Sequence, residues 1–164
     1  MSGSAWGRVA LLALDVDGVL TDGHLLMDGD GGVTKRFFVR DGSGIVRLRR
    51  AGVAVCWITG RSDAATRQRA EELGIDDLVE GCQQKDDALA RLCFHHECSP
   101  EQVAYMGDDL LDLPALKLCG LACVPADAIP EARALADYIC QASGGRGAVR
   151  EVCDMILSAR EESP

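Results

Sequence analysis

Two aspartates one residue apart, Asp15 and Asp17, close an apolar run that starts at Val9, and glycine follows at once in "LALDVDGVLTDG". The run is long enough for a strand covered on both faces. An unpaired buried carboxylate is costly, so a chain that places two at a strand end supplies a cation for them, or water. Three further groups follow at comparable places. Thr59, Gly60 and Arg61 come after "VAVCWI", Lys85 comes after "DLVEGCQQ", and "GDDLLD", with Asp108, Asp109 and Asp112, comes after "VAYM". Carboxylates from separate loops are the hard oxygen ligands that Mg²⁺ takes while keeping several waters. A hydroxyl, an ammonium and backbone N–H groups are what a phosphate takes. Together the four stations read as a site for Mg²⁺-dependent phosphoryl transfer.

Each station has a plainer reading when taken alone. Asp15 and Asp17 could be an N-cap and a loop carboxylate, and Lys85 a solvated lysine at a helix start. Four stations in one order set those readings aside. Asp109 reads as a carboxylate supporting a metal ligand, and Asp112 as one that orients Lys85 or the waters of the metal. Arg61 and Arg69 lie eight apart, two helical turns and a little more, which lets both face one direction. "SGGRG", before the last helix, reads either as a flexible turn or as an anion site made of glycines, a guanidinium and a helix start.

Such residues need strand ends to bring them together. Strand-like and helix-like segments alternate, the pattern of an α/β fold with a mainly parallel sheet in a Rossmann-like three-layer sandwich. The predicted strands are Val9 to Asp15, Val53 to Ile58, Asp77 to Val79, Val103 to Met106, Leu121 to Val124 and Tyr138 to Cys140. Helices fall between them. One is predicted to open on Ser62 as N-cap and close on Gly74, Ser99 is the N-cap candidate before Pro100, and a final helix is predicted from about Ala148 to Ala159. "HLLMDGDGGVTKRFF" breaks the rhythm and reads as a β-hairpin. Ligands of open parallel sheets gather outside the carboxyl ends of the strands, where all four stations stand.

The 164 residues predict one domain, 1–164, with its core at about 9–158 and frayed ends at Met1 to Trp6 and Glu161 to Pro164. Seventeen Lys and Arg against 26 Asp and Glu give a formal net charge of −9, which disfavours nucleic acid and anionic membrane as partners. No basic leader and no long apolar stretch is present, so a cytoplasmic protein is expected. The 8 cysteines lie singly in apolar or helical contexts and read as reduced thiols. No C-x-x-C pair supports zinc at Cys93, His95, His96 and Cys98.

"DVDGVLTDG", "ITGR", Lys85 and "GDDLLD" resemble, in order and spacing, the four motifs of the haloacid dehalogenase superfamily of phosphatases. "VRDGSGI" and "SGGRGAVREV" narrow the resemblance to its small capless branch, which holds the 3-deoxy-D-manno-octulosonate 8-phosphate phosphatases. The resemblance implies Mg²⁺ as cofactor, Asp15 as nucleophile and Asp17 as general acid and then base. It implies Asp15, the Asp17 backbone carbonyl and Asp108 as metal ligands, and Thr59 and Lys85 as phosphate-binding groups. Arg40, Asp41, Gly42, Gly60, Arg61 and Arg69 join Asp17, Thr59 and Lys85 as substrate-binding candidates. A hairpin stands where relatives carry a cap domain. The branch forms tetramers in which a neighbour walls the site, and the hairpin near Met27 to Val33 is the expected contact.

The substrate implied is a sugar acid phosphate, and the arginine after "TG" resembles the enzymes for the eight-carbon acid. Val46 departs from the pattern, because a basic residue is usual there and Arg47 next to it faces elsewhere. The alternatives are a phosphatase of nine-carbon keto-sugar acid 9-phosphates and a non-catalytic oligomerisation domain related to those fused to cytidylyltransferases.

Overall fold

In the computed structural model of the chain, which describes residues 5–161, strands and helices alternate as the sequence predicts. In chain order they are β1 (Leu11–Leu14), β2 (Leu26–Met27), β3 (Val33–Thr34), α1 (Val39–Arg50), β4 (Ala54–Ile58), α2 (Ala64–Leu73) and β5 (Leu78–Val79). There follow α3 (Lys85–His95), β6 (Val103–Met106), α4 (Leu113–Leu118), β7 (Leu121–Val124), α5 (Pro130–Leu135), β8 (Tyr138–Ile139) and α6 (Ala148–Glu161). The main sheet runs β5-β4-β1-β6-β7-β8 with every pair parallel. In the centre, Leu14 pairs with Trp57 of β4 and with Met106 of β6. The chain therefore leaves β1, β4 and β6 side by side, on the edge where parallel sheets hold ligands.

Strand alternation builds two core layers. Leu12 and Leu14 pack with Val55 and Trp57 beneath α1, α2 and α6, whereas Leu11 and Ala13 pack with Ile58 and Tyr105 beneath α3, α4 and α5. Sheet and flanking helices make three layers. α1 is seated on α6 by Asp41, whose Oδ1 accepts from the Arg150 N–H at 2.8 Å. Gly44 lets the two helices close in, since a Cβ there would lie 2.9 Å from Arg150 Cδ.

Local details differ from the sequence expectation. The N-cap of α2 is Asp63, not Ser62: Asp63 Oδ1 accepts from Thr66 N–H at 2.9 Å, while the Ser62 hydroxyl accepts from Arg67. Gly74 ends that helix in the left-handed region at φ +68°. Ser99 precedes only a 3₁₀ turn, Pro100–Gln102. Trp6 is not frayed, because a 3₁₀ turn at Trp6–Arg8 sets its ring edge-on to Tyr138 at 5.2 Å. Glu161 likewise completes α6, and the remaining expected frayed ends, 1–4 and 162–164, lie outside the described residues. β2 and β3 form the antiparallel hairpin, turned by Asp28 Oδ1, which accepts from the N–H groups of Asp30 and Gly32. Leu26 and Met27 on it are 68% and 70% exposed.

Candidate active site

Asp15 directly follows β1, its N–H donates to Met106 O at 2.9 Å, and its carboxylate is buried. The Lys85 ammonium, also buried, stands 2.7 Å from Asp15 Oδ1 and 2.7 Å from Asp112 Oδ1. Asp112 is held from every side. Its Oδ1 accepts from the Tyr105 hydroxyl at 2.6 Å, and its Oδ2 accepts from the N–H groups of Asp108 and Asp109 at 2.9 and 3.1 Å. Asp112 thus orients Lys85 and fixes the loop that carries Asp108. Asp109 is exposed and caps the turn after it by accepting from Leu110 N–H.

One ammonium faces three carboxylates here. Burial first, then the charge of Asp112, push Asp15 up to about 7 despite Lys85. Burial, followed by Asp15 and Asp112, pushes Asp108 up to about 8. For Lys85, Asp15 and Asp112 outweigh burial and raise its pKa, which keeps it charged. The groups of Asp15, Asp108 and Asp112 lie within 4.8 Å of one another, and among the described residues Asp108 Oδ1 is buried without a hydrogen-bond partner. Asp112 has no oxygen to spare; Asp108 has. A surplus of negative charge with an unpartnered carboxylate oxygen fits a hard divalent cation such as Mg²⁺.

Asp17 sits on the loop after Asp15, where Gly18, at φ +93°, leaves room for Asp108: a Cβ on Gly18 would fall 2.0 Å from Asp108 Oδ2. The "SGGRG" segment braces this loop from behind. Gly144 presses on it so closely that a Cβ would lie 1.8 Å from Gly18 O, and Gly145 N–H donates to Val19 O at 2.9 Å. Thr59 follows β4, and its hydroxyl oxygen accepts from Arg61 N–H at 3.2 Å, which leaves its own hydrogen free to donate. A cavity of about 500 Å³ opens over Asp15, Asp17, Thr59, Gly60, Arg61, Lys85 and Asp108.

Other predicted residues stand apart. Arg40 is exposed on α1, and Asp41 is buried against α6. Gly42 lies beneath Arg69, whose guanidinium pairs with Glu72 at 2.7 Å and lies over the Phe37 ring. None of these four lines the cavity. Arg61 and Arg69 do not share a helix face, because Arg61 precedes the first residue of α2, Ala64. Arg61 alone is at the cavity, its Nε 3.9 Å from Asp17 Oδ2. Val46 is half-buried, and Arg47 pairs with Asp154 at 2.8 Å. All eight cysteines are free thiols, and His96 Nε2 lies 2.9 Å from Asp77.

Lys35 is the residue that sequence reasoning missed. Its buried ammonium stands 2.8 Å from Asp17 Oδ1 and 2.7 Å from Asp63 Oδ2. Nothing in the mixed stretch "VTKRFF" marks it out, since its burial arises from contact with the start of α2.

The chain is similar to known proteins over most of its length. The haloacid dehalogenase-like hydrolase family matches residues 77–151. The 3-deoxy-D-manno-octulosonate 8-phosphate phosphatase of Yersinia pestis is 46% identical over 155 residues, covering 94% of this chain and 83% of that protein. The fold is similar to the crystal structure of the phosphatase of that name from Moraxella catarrhalis, in complex with magnesium, phosphate and KDO. The TM-score is 0.93 at 40% identity, over 96% of this chain and 90% of that one. The cobalt-bound phosphatase of Haemophilus influenzae gives a TM-score of 0.94 at 39% identity, over 98% of this chain and 94% of that one.

Proposed function

The chain belongs to the haloacid dehalogenase-like hydrolases, among the 3-deoxy-D-manno-octulosonate 8-phosphate phosphatases, and we propose that Asp15 is the nucleophile with which it opens the phosphate ester. It is a phosphoric monoester hydrolase with Mg²⁺ as cofactor. The observation that carries the assignment is Asp15 at the end of β1, touching Lys85 and close to the unpartnered Oδ1 of Asp108.

An Asp15 oxygen attacks phosphorus, the bond from phosphorus to the sugar oxygen breaks, and an aspartyl phosphate forms. Asp17 gives a proton to the departing alkoxide. Water then attacks the phosphorus, Asp17 takes its proton, and Asp15 is regenerated with release of inorganic phosphate. Lys85 and the Thr59 hydroxyl face the charge that gathers on the transferred group. Asp15, Asp108 and the Asp17 backbone carbonyl would hold Mg²⁺, which supplies the positive charge that lets a carboxylate approach a phosphate.

The substrate is an eight-carbon keto-sugar acid 8-phosphate. Arg61 lines the cavity, which supports it as the guanidinium that meets the carboxylate of the substrate. Among the described residues no cap domain covers the mouth, so a second subunit supplies the cover, in a homotetramer that buries the exposed Leu26 and Met27 of the hairpin. Residues 1–164 act as one domain, and the free thiols fit the reducing cytoplasm. Among the described residues no helix is long and apolar enough to cross a membrane. Phosphate release from a panel of eight- and nine-carbon sugar acid phosphates and simple hexose phosphates, with Mg²⁺, tests the reading. The eight-carbon acid should be hydrolysed fastest; equal rates across the panel would refute the substrate assignment.

A further inference from the structure

We propose that Lys35 is a positioning residue for the acid–base step, holding the Asp17 carboxylate where it protonates the leaving oxygen. This rests on the reading of Asp17 as the general acid of the hydrolysis.

The Lys35 side chain is 0% exposed, and its Nζ spans the Asp17 carboxylate, 2.8 Å from Oδ1 and 3.0 Å from Oδ2. It also lies 2.7 Å from Asp63 Oδ2 and donates to Thr66 Oγ1 at 3.0 Å. Two of its N–H donors go to Asp17 Oδ2 and Thr66 Oγ1, and the Asp63 carboxylate pairs with its charge. The ammonium is thus enclosed by protein groups, and its effect passes through Asp17. Its own anchor is rigid, because Asp63 caps α2 through Thr66 N–H at 2.9 Å. Among the described residues Asp17 Oδ1 is buried without a geometrically sound hydrogen bond, so that oxygen is held by charge yet keeps lone pairs for a proton.

The two buried lysines of the site repeat one device. Lys85 bridges the nucleophile Asp15 and the anchored Asp112; Lys35 bridges Asp17 and the anchored Asp63. Removing either lysine takes away the ammonium that ties a working carboxylate to its anchored neighbour. A buried ammonium between two carboxylates also costs desolvation, which a surface loop residue has no general reason to bear.

The test is kcat/KM for a series of phosphate monoesters with Mg²⁺, from p-nitrophenyl phosphate to alkyl phosphates and the sugar acid phosphate. This ratio covers steps through departure of the alcohol, so later hydrolysis of the aspartyl phosphate does not enter it. A nitrophenolate leaves unaided, whereas an alkoxide needs its proton. Lys35→Met is expected to lower kcat/KM about tenfold or more for alkyl esters and less than about threefold for p-nitrophenyl phosphate, a part of the range general acids provide. Thr66→Val, near-isosteric, removes one of the groups that hold the ammonium and should shift the series in the same direction by less; it carries the test if Lys35→Met does not fold. An equal loss on all esters would assign Lys35 to holding the hairpin alone and overturn the proposal, as would no loss. A wild-type protein that hydrolyses none of the esters would instead overturn the underlying reading of the site.

Discussion

The Tyr105 hydroxyl, buried in β6, donates to Asp112 Oδ1 at 2.6 Å, so the central strand itself fixes the carboxylate that orients Lys85. Burial and the Asp112 charge raise the Tyr105 pKa, which keeps the hydroxyl a donor. Tyr105→Phe leaves that carboxylate one donor short. The expected result is a loss of about 1.5–3 kcal/mol in denaturant unfolding, the usual size for a hydrogen bond to a charged group. kcat should fall more than KM rises, and unchanged unfolding would show that Asp112 does not depend on Tyr105.

Asp15→Asn keeps the shape of the side chain and removes the proposed nucleophile. Turnover should fall by more than about a hundredfold, because covalent catalysis is lost, with the circular dichroism spectrum unchanged. Activity above that level would remove Asp15 from the role.

Chelation should stop hydrolysis and Mg²⁺ restore it. Ca²⁺ should restore little, since its longer, looser coordination misplaces the nucleophile. The pH dependence of stability has a definite sign. Without metal, Asp15 and Asp108 are pushed from 3.8 up to about 7 and about 8, so the folded state holds protons that the unfolded state releases earlier. Their contribution to stability is present below about pH 4 and is lost as pH rises through 7 to 8. A bound cation takes the place of those protons, so Mg²⁺ should raise the melting temperature more at pH 8 than at pH 5. An equal rise at both would count against a metal held by these carboxylates.

Arg61→Ala should raise KM for a sugar acid phosphate about tenfold or more and for a neutral sugar phosphate far less, since a charge-assisted contact is worth about 1.5–3 kcal/mol. Arg69→Ala, which removes the cover over Gly42 and Phe37, should act on thermal stability instead. The reverse pattern would place the acid group of the substrate near Arg69. Light scattering should find a tetramer, and a fully active monomer would dispose of the borrowed cover.

Much of this was legible in the sequence because parallel strands are short apolar runs and their ends carry the chemistry. β6 and β7 match the reading residue for residue, and the others differ by one or two residues at their ends, where side-chain pattern says little about pairing. Asp15, Thr59, Lys85 and Asp108 stood out as polar residues at those ends. α1 gave no such signal: Phe38 before it offers no capping side chain, and Gly42 and Gly44 argue against a helix until Arg69 and α6 are seen packed on them. Asp41, a substrate-binding candidate from the resemblance, shows its packing role only once Arg150 N–H is found on it. Lys35 was hidden for the same reason. Its partners Asp63 and Thr66 are distant in sequence, and only the folded hairpin brings them within reach.

The pressing of Gly144 and Gly145 onto the Asp17 loop also has a meaning in time. A ribosome releases the chain from its N-terminal end, and Asp15, Thr59, Lys85 and Asp108 all emerge before the segment that braces the loop. The Asp41 contact that seats α6 spans 109 positions and must wait just as long. The nascent chain thus carries every reactive group while lacking the wall that sets Asp17 in place. The contacts that brace the loop of Asp17 can therefore form only after the segment leading into the last helix has emerged.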